Sequence, residues 1–338
     1  ALYQYGALGK STNNGSSFSS ATNGISGGDR KNWDTPITFD PSNSQTLYYG
    51  ANRLYKSTNA AGNWTAISPD LTDGPHSGNL TYGTITTISV SPLNNEIIFV
   101  GTDDGKTWVT QDGGSNWTDI SAGVPNRWVT KVLASREDPN IVYLTLSGYR
   151  YGEDTGHVYK STDLGSNWFN ISAGLPDIPI NDIVQDSFGN LFVGTDVGVL
   201  ATADEGVNWS VVGANLPSVV VTDLHIHEGS QFLFAATFGR STYKIDISND
   251  ILSNDEIVFS SEVNIFPNPA SEMVTVSLKS TSEKASLIVY DVMGRLVKQQ
   301  NFKGENYLRF SVEDLQPGIY YLKISEGKKQ TTKKLIVN

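Results

Sequence analysis

The chain has 338 residues, with 32 Gly, 15 Tyr, 13 Phe, 7 Trp and no Cys, and a net charge of −11. That is room for two domains with a sizeable core; the turn-rich, aromatic mix points to an all-β protein rather than a disordered one, and its stability cannot rest on disulfides. The charge is split: residues 1–261 hold 13 basic against 27 acidic side chains (−14) and residues 262–338 hold 11 against 8 (+3), so the acidic front lacks the footprint that nucleic acid needs.

No apolar run approaches the ~20 residues of a membrane span. The first residue is not Met, and Ala1 to Gly9 reads as strand-like, so a mature or trimmed form with a missing start is expected.

A phrase then recurs along the chain: TQDGGSNW (Thr110 to Trp117), STDLGSNW (Ser161 to Trp168) and TADEGVNW (Thr202 to Trp209). Two weaker copies are STNAAGNW (Ser57 to Trp64), with Asn59 for the acid and its glycine displaced to Gly62, and STNNGSSF (Ser11 to Phe18). Such a phrase suits a strand–turn–strand. The Asp or Asn accepts from backbone N–H groups two or three residues on, the Gly permits positive φ, and the Trp starts the next strand and points to the core.

Each copy sits in a unit of four short strands. ITTISVS, EIIFVGT, TWVTQ and NWTDIS run through 85–121; residues 37–68, 129–172 and 180–213 repeat the order. Four strands per ~35–45 residues is the period of a propeller blade. Residues 3–21 supply only the last two strands of a blade and 221–245 only the first three. Four full units with these ends could close as five or six blades, a strand from the N-terminus completing the last; because two strands and three do not sum to one clean blade, the favoured expectation is that earlier blades are missing.

The phrase resembles the Asp-box, or BNR, repeat of sialidases, sortilin-like receptors and related propellers, through Asp112, Gly114, Trp117, Asp163, Gly165, Trp168, Asp204, Gly206 and Trp209. The resemblance covers roughly residues 1–247 and implies architecture rather than activity. In such propellers ligands sit on the face opposite the boxes, built by inter-blade segments and by turns between second and third strands. Arg30, Arg53, Arg127, Arg150 and Arg240 fall in those segments; Arg136 does not. Trp33, Trp128, Tyr149 and Tyr151 accompany them, and forks with flat rings suit carboxylate, phosphate or sugar recognition.

The sialidase likeness is incomplete: the R-I-P segment is absent, and Glu153 is the loop acid close to two Tyr. A two-aspartate glycosidase would draw on Asp34, Asp182 and Asp223, at the starts of first strands. His225 and His227 share a strand face, but no third metal ligand is evident; His76 and His157 are scattered, and no metal or cofactor is expected.

Residues 248–262, acidic and Ser-rich, read as a linker. The remainder, 263–338, gives about seven strands, a small antiparallel Ig-like sandwich. Its motifs closely resemble the type A C-terminal sorting domain of type IX secretion, known from Bacteroidetes. Pro267-Asn268-Pro269 opens it, Asp291, Gly294 and Arg295 form D-x-x-G-R, Leu315, Gly318 and Tyr320 form L-x-x-G-x-Y, and Lys333, Lys334 and Val337 close it. The resemblance implies export of folded cargo from the periplasm of a Gram-negative bacterium through an outer-membrane translocon. A shuttle protein would then recognise the tail and a sortase remove it, leaving a secreted or surface protein. Lys328 and Lys329 join the basic set offered to that machinery. The first expectation for the propeller is a non-catalytic glycan- or protein-binding module; the alternative is a secreted glycoside hydrolase.

Overall fold

The computed structural model describes every residue except 76–81, 149–156, 176–177, 214–215, 249–262, 283–284, 292–293, 303 and 327–328. Two compact units emerge, Ala1–Ser248 and Asn249–Asn338. No helix among the described residues is long and apolar enough to cross a membrane.

The first unit is a β-propeller. Four of its sheets have four antiparallel strands each. Blade 1 is Ile37–Asp40, Asn43–Gly50, Leu54–Ser57 and Thr65–Ala66; blade 2 is Ile85–Val90, Ile98–Thr102, Thr107–Thr110 and Thr118–Asp119. Blade 3 is Val129–Ala134, Val142–Leu146, Val158–Ser161 and Phe169–Asn170; blade 4 is Ile180–Gln185, Leu191–Thr195, Gly198–Thr202 and Ser210–Val212. Blade 5 has three strands, Val221–His227, Phe232–Thr237 and Ser241–Asp246, and a short hairpin, Gly9–Lys10 with Ser19–Ser20, precedes blade 1. The opening residues are not a strand: a 3-10 turn at Gln4–Gly6 folds back so that Leu2 bridges Leu8.

Second strands such as Ile98–Thr102, Val142–Leu146 and Leu191–Thr195 are buried at every residue. Apolar side chains on both faces are what a strand covered on both sides requires. Gly101 lets the next blade come close: a Cβ there would lie 2.4 Å from Val129 Cγ1.

The innermost strands carry one device four times. The register slips between Ile85 and Thr87, Val129 and Lys131, Ile180 and Asp182, and Val221 and Asp223. Each slip leaves one bulged residue; in blades 2 to 4 its side chain is re-aimed at the following blade, and in blade 5 Thr222 Oγ1 donates to the Ala236 carbonyl of the same blade. Thr86 Oγ1 donates to the Val129 carbonyl (2.6 Å), Thr130 Oγ1 to Ile180 (2.6 Å) and Asn181 Nδ2 to Val221 (3.0 Å). The residues just after the bulges, Thr87, Lys131, Asp182 and Asp223, are thereby placed in equivalent positions.

The recurring phrase forms a self-bonded turn that also locks blade to blade. Asp112 Oδ1 accepts from the Asn116 N–H at 2.8 Å, Oδ2 from Asn116 Nδ2 at 2.7 Å, and the Gly114 N–H donates to Thr110 Oγ1 at 3.0 Å. Asp163 with Asn167 and Asp204 with Asn208 repeat the pattern. The acceptor therefore reaches four residues on, not two or three, because two consecutive left-handed residues (Leu164 φ 59°, Gly165 φ 87°) curl the chain further than a simple turn. In the weaker copy the equivalent left-handed position is Ala61 (φ 62°), so the glycine is replaced there rather than displaced. The tryptophans lie on the seam between blades: Trp117, Trp168 and Trp209 are half-buried, and Trp64 is fully buried.

The second unit is a β-sandwich. Asn264–Phe266, Met273–Ser282 and Glu305–Ser311 make one sheet; Leu296–Asn301, Ala285–Asp291, Gly318–Glu326 and Lys329–Val337 make the other. Val274, Val276, Leu287, Val289, Leu322, Ile324 and Leu335 fill the core between them.

Candidate functional site

The innermost segments of all five blades line one cavity of about 420 Å³. Blade 1 contributes Asn32, Asp34 and Pro36 to Thr38; blade 2 Thr86 to Ile88; blade 3 Trp128, Thr130 and Lys131; blade 4 Asn181 and Asp182; blade 5 Val220, Thr222 and Asp223. Asp34, Asp182 and Asp223, far apart in sequence, thus come to one place, together with Trp128.

The acids differ in their surroundings. Asp182 is buried and heavily bonded: Oδ1 accepts from the Ile183 N–H (2.8 Å) and pairs with Lys131 Nζ (2.8 Å), and Oδ2 accepts from the Leu224 N–H (2.8 Å). It ties blade 4 to blades 3 and 5. Asp223 is open to the cavity but ringed by protein. Burial, then the Asp182 charge, push its carboxyl above the ordinary carboxylate value, and Lys131 offsets part of this. Burial works against the Lys131 charge, but Asp182 and Asp223 outweigh it and hold the ammonium above the usual lysine value. A carboxyl whose neutral form is favoured, a second, buried carboxyl and a cation therefore sit side by side. Asp34 is exposed at the cavity, and its N–H reaches Asn32 Oδ1 at 3.4 Å.

Trp33 stands next to Asp34 and is 55% exposed. It meets the equally open Tyr5 edge to face, with ring centroids 5.2 Å apart, and the Tyr5 N–H donates to the Trp33 carbonyl. Tyr5 and Lys131 were not singled out from sequence. Lys131 had a signal: superposing ITTISV, VTKVLA, INDIVQ and VTDLHI puts Thr87, Lys131, Asp182 and Asp223 in one column. Tyr5 had none, since its partner is 28 residues away.

The arginines are not brought to this cavity. Arg30 bonds the Gly83 carbonyl, Thr72 and Asp70 (2.7 Å). Arg53 grips Asp29 with two nitrogens (2.8 and 2.7 Å), and Tyr55 OH donates to the same carboxylate. Arg127 is buried, with Nη1 3.1 Å from His157 Nδ1. These forks hold loops in place, where the sequence suggested presentation to a ligand. Arg240 is exposed in the turn after Phe232–Thr237, and Arg136 pairs with Glu228. Tyr149, Arg150, Tyr151, Glu153 and His76 lie outside the described residues. His225 and His227 share an exposed face, and no group of three metal-ligating side chains occurs among the described residues.

In the second unit the paired motifs close on themselves. Asn268, between two prolines that lack N–H groups, uses its carboxamide as a strand would: Nδ2 donates to the Lys334 carbonyl (2.8 Å) and Oδ1 accepts from the Ile336 N–H (2.9 Å). Asp291 accepts from the Arg295 N–H and Nε (3.0 and 2.7 Å) around Gly294, whose φ is 76°. Tyr320 is buried and its OH donates to the Gln316 carbonyl at 2.8 Å, with Leu315 packed against the core and Gly318 paired to Val337. Lys333 is half-buried and Lys334 exposed; Lys328 and the side chain of Lys329 are outside the described set.

Residues 264–338 match the family model of the secretion system C-terminal sorting domain. This is the tail of an exported protein. A domain of this family marks type IX secretion cargo, and the chain is secreted or displayed at the cell surface. Among curated proteins, an endo-acting ulvan lyase of Formosa agariphila is 29% identical over 102 residues, 30% of this chain; the chain spans only 20% of that relative's length. Among solved structures, a GH74 xyloglucanase from Xanthomonas campestris has a TM-score of 0.54 at 12% identity, over 98% of this chain and 49% of that one. A GH74 enzyme of Niastella koreensis has 0.51 at 14%, over 99% and 70%. At these identities the two structures speak to the propeller fold alone.

Proposed function

We propose that the chain is a type IX secretion cargo whose propeller, of the Asp-box kind, binds a glycan at the axial cavity. The translocon, shuttle protein and sortase of that pathway are its partners during export. The observation that carries the glycan reading is the convergence of Asp34, Asp182, Asp223, Lys131 and Trp128 on one cavity. Hydroxyl-rich ligands are recognised by ionised side chains that accept and donate, and by flat rings that cover sugar faces. The exposed Trp33–Tyr5 pair beside Asp34 extends such a surface outward. The ulvan lyase likeness, confined to 30% of the chain, adds only an extracellular-glycan context.

Binding without turnover is favoured by the acids themselves. Two carboxyls that act across a glycosidic bond stand ~5–5.5 Å apart in retaining enzymes and ~6.5–9.5 Å in inverting ones. Asp182 is instead occupied by Lys131 and two backbone N–H groups, and its charge raises the neighbouring Asp223 carboxyl. The hydrolase reading rests on Asp223 as a proton donor with Asp34 across the cavity. A panel of soluble polysaccharides, with calorimetry for binding and reducing-end detection for cleavage, tests both. Saturable binding with no new reducing ends is the expected result. Cleavage lost in Asp223→Asn would replace the binding reading with the hydrolase; a panel with neither binding nor cleavage would overturn the glycan reading.

A further inference from the structure

Four successive seams, from the N-terminal hairpin to blade 4, are each closed by one indole. Trp64 Nε1 donates to the Ala21 carbonyl (2.7 Å), Trp117 to Ile67 (2.9 Å), Trp168 to Ile120 (2.8 Å) and Trp209 to Ile171 (3.0 Å). In every case the ring comes from the start of the later blade's fourth strand. It sits over the end of the earlier blade's fourth strand.

The seam between blades 4 and 5 breaks the series. Blade 5 has three strands, and no described residue pairs with the outer edge of Ser241–Asp246. Val212 takes the place of Ile171, since it pairs with Val199 as Ile171 bonds Val158. Beside it runs an apolar groove of about 220 Å³, lined on one side by Val199, Val212 and Leu216 and on the other by Leu233, Tyr243 and Ile245. Tyr243 corresponds in register to Tyr159, which packs in the seam that Trp168 closes.

We propose that this groove and edge form a docking site for an extended segment of a partner polypeptide that carries a tryptophan. The segment adds to Ser241–Asp246 as a fourth strand, and its indole lies against Val212 and Tyr243. The occupant's chemistry is set by continuity with the four filled seams: each takes a strand led by an indole, and the fifth offers the same walls, the same tyrosine and a strand edge that no described residue pairs. Backbone bonds give such strand addition its affinity, and the ring pocket gives its specificity.

A fluorescein-labelled peptide with the sequence of residues 161–174, which holds the turn and its tryptophan, is titrated into the full-length chain. Saturable one-to-one binding is expected. The same peptide with alanine for its tryptophan should bind at least tenfold more weakly. Tyr243→Ala and Leu233→Asp should weaken binding to a similar degree, whereas Phe234→Ser, on the opposite face of blade 5, should leave it unchanged. Each variant is checked by circular dichroism, and Tyr243→Ala, the milder truncation, carries the test if Leu233→Asp unfolds. No saturable binding to the folded chain, equal affinity of the alanine peptide, or indifference to Tyr243→Ala would overturn the proposal.

Discussion

Trp168 Nε1 lies 2.8 Å from the carbonyl oxygen of Ile120, one blade away and 48 residues back in the chain. A turn that looks local in sequence is thus a long-range clamp. Replacing Trp168 with Phe keeps most of the ring but removes the donor and strands a buried carbonyl. A loss of about 1–2 kcal/mol is expected from the net value of such a bond, read as a lowered urea midpoint at unchanged slope.

The glycine of the same turn has two jobs that separate experimentally. Gly165 needs a left-handed φ of 87°, and a Cβ there would lie 2.4 Å from Ile120 Cδ1. Gly174 has a φ of 79° and open space around it. Gly174→Ala should cost about 1 kcal/mol, the conformational penalty alone. Gly165→Ala should cost about 2–4 kcal/mol, because overpacking against Ile120 is added. Equal costs in chemical denaturation would show that contact between blades is not what the glycine serves.

The raised carboxyl of Asp223 has a defined signature. Because its folded pKa lies above the ordinary 3.8, the folded chain keeps a proton that the unfolded chain has lost. That preference is fully present near and below 3.8 and disappears as pH rises through the folded value, so Asp223 makes stability fall with pH across that window. Asp29 runs the opposite way. Burial opposes its charge, but Arg53 and Tyr55 outweigh it and lower its pKa, so its contribution holds above 3.8 and is lost as pH falls through the lowered value. Urea melts at closely spaced pH values should show the falling slope above pH 4 reduced in Asp223→Asn and retained in Asp29→Asn.

Asn268 joins the opening of the tail to its last strand by two bonds to backbone. Asn268→Ala should loosen that end by about 2 kcal/mol, at about 1 kcal/mol per bond. The Ile336 amide should then exchange with deuterium faster than in the parent. Less of the chain should reach the medium or surface than of the parent, and removal of residues 264–338 should abolish its appearance there. Full export without the tail would contradict the assignment.

The blades were legible because the Ser/Thr, Asp, Gly and Trp of each turn recur at fixed offsets, and the tail because its motifs fall in order. What escaped was information carried between units. The bulges at Thr86, Thr130, Asn181 and Thr222 have no glycine to mark them, and they decide that the next residue faces the axis. Asp182 and Asp223 were marked by position on first strands and Asp34 by lying just before one, yet Lys131, in the same column as Asp182 and Asp223, looked like an ordinary strand lysine. The pairing of Arg30 with Asp70 and of Arg53 with Asp29 was not legible, because the acceptors stand on other loops and pairing across loops leaves no periodic trace.

Hydrogen–deuterium exchange with and without the tightest-binding oligosaccharide tests the cavity claim most directly. Protection should concentrate in residues 32–38, 128–131 and 220–223, from opposite sides of the propeller axis, and vanish in Trp128→Ala. Protection confined to the outer strands of the blades, with those three segments unchanged, would contradict it.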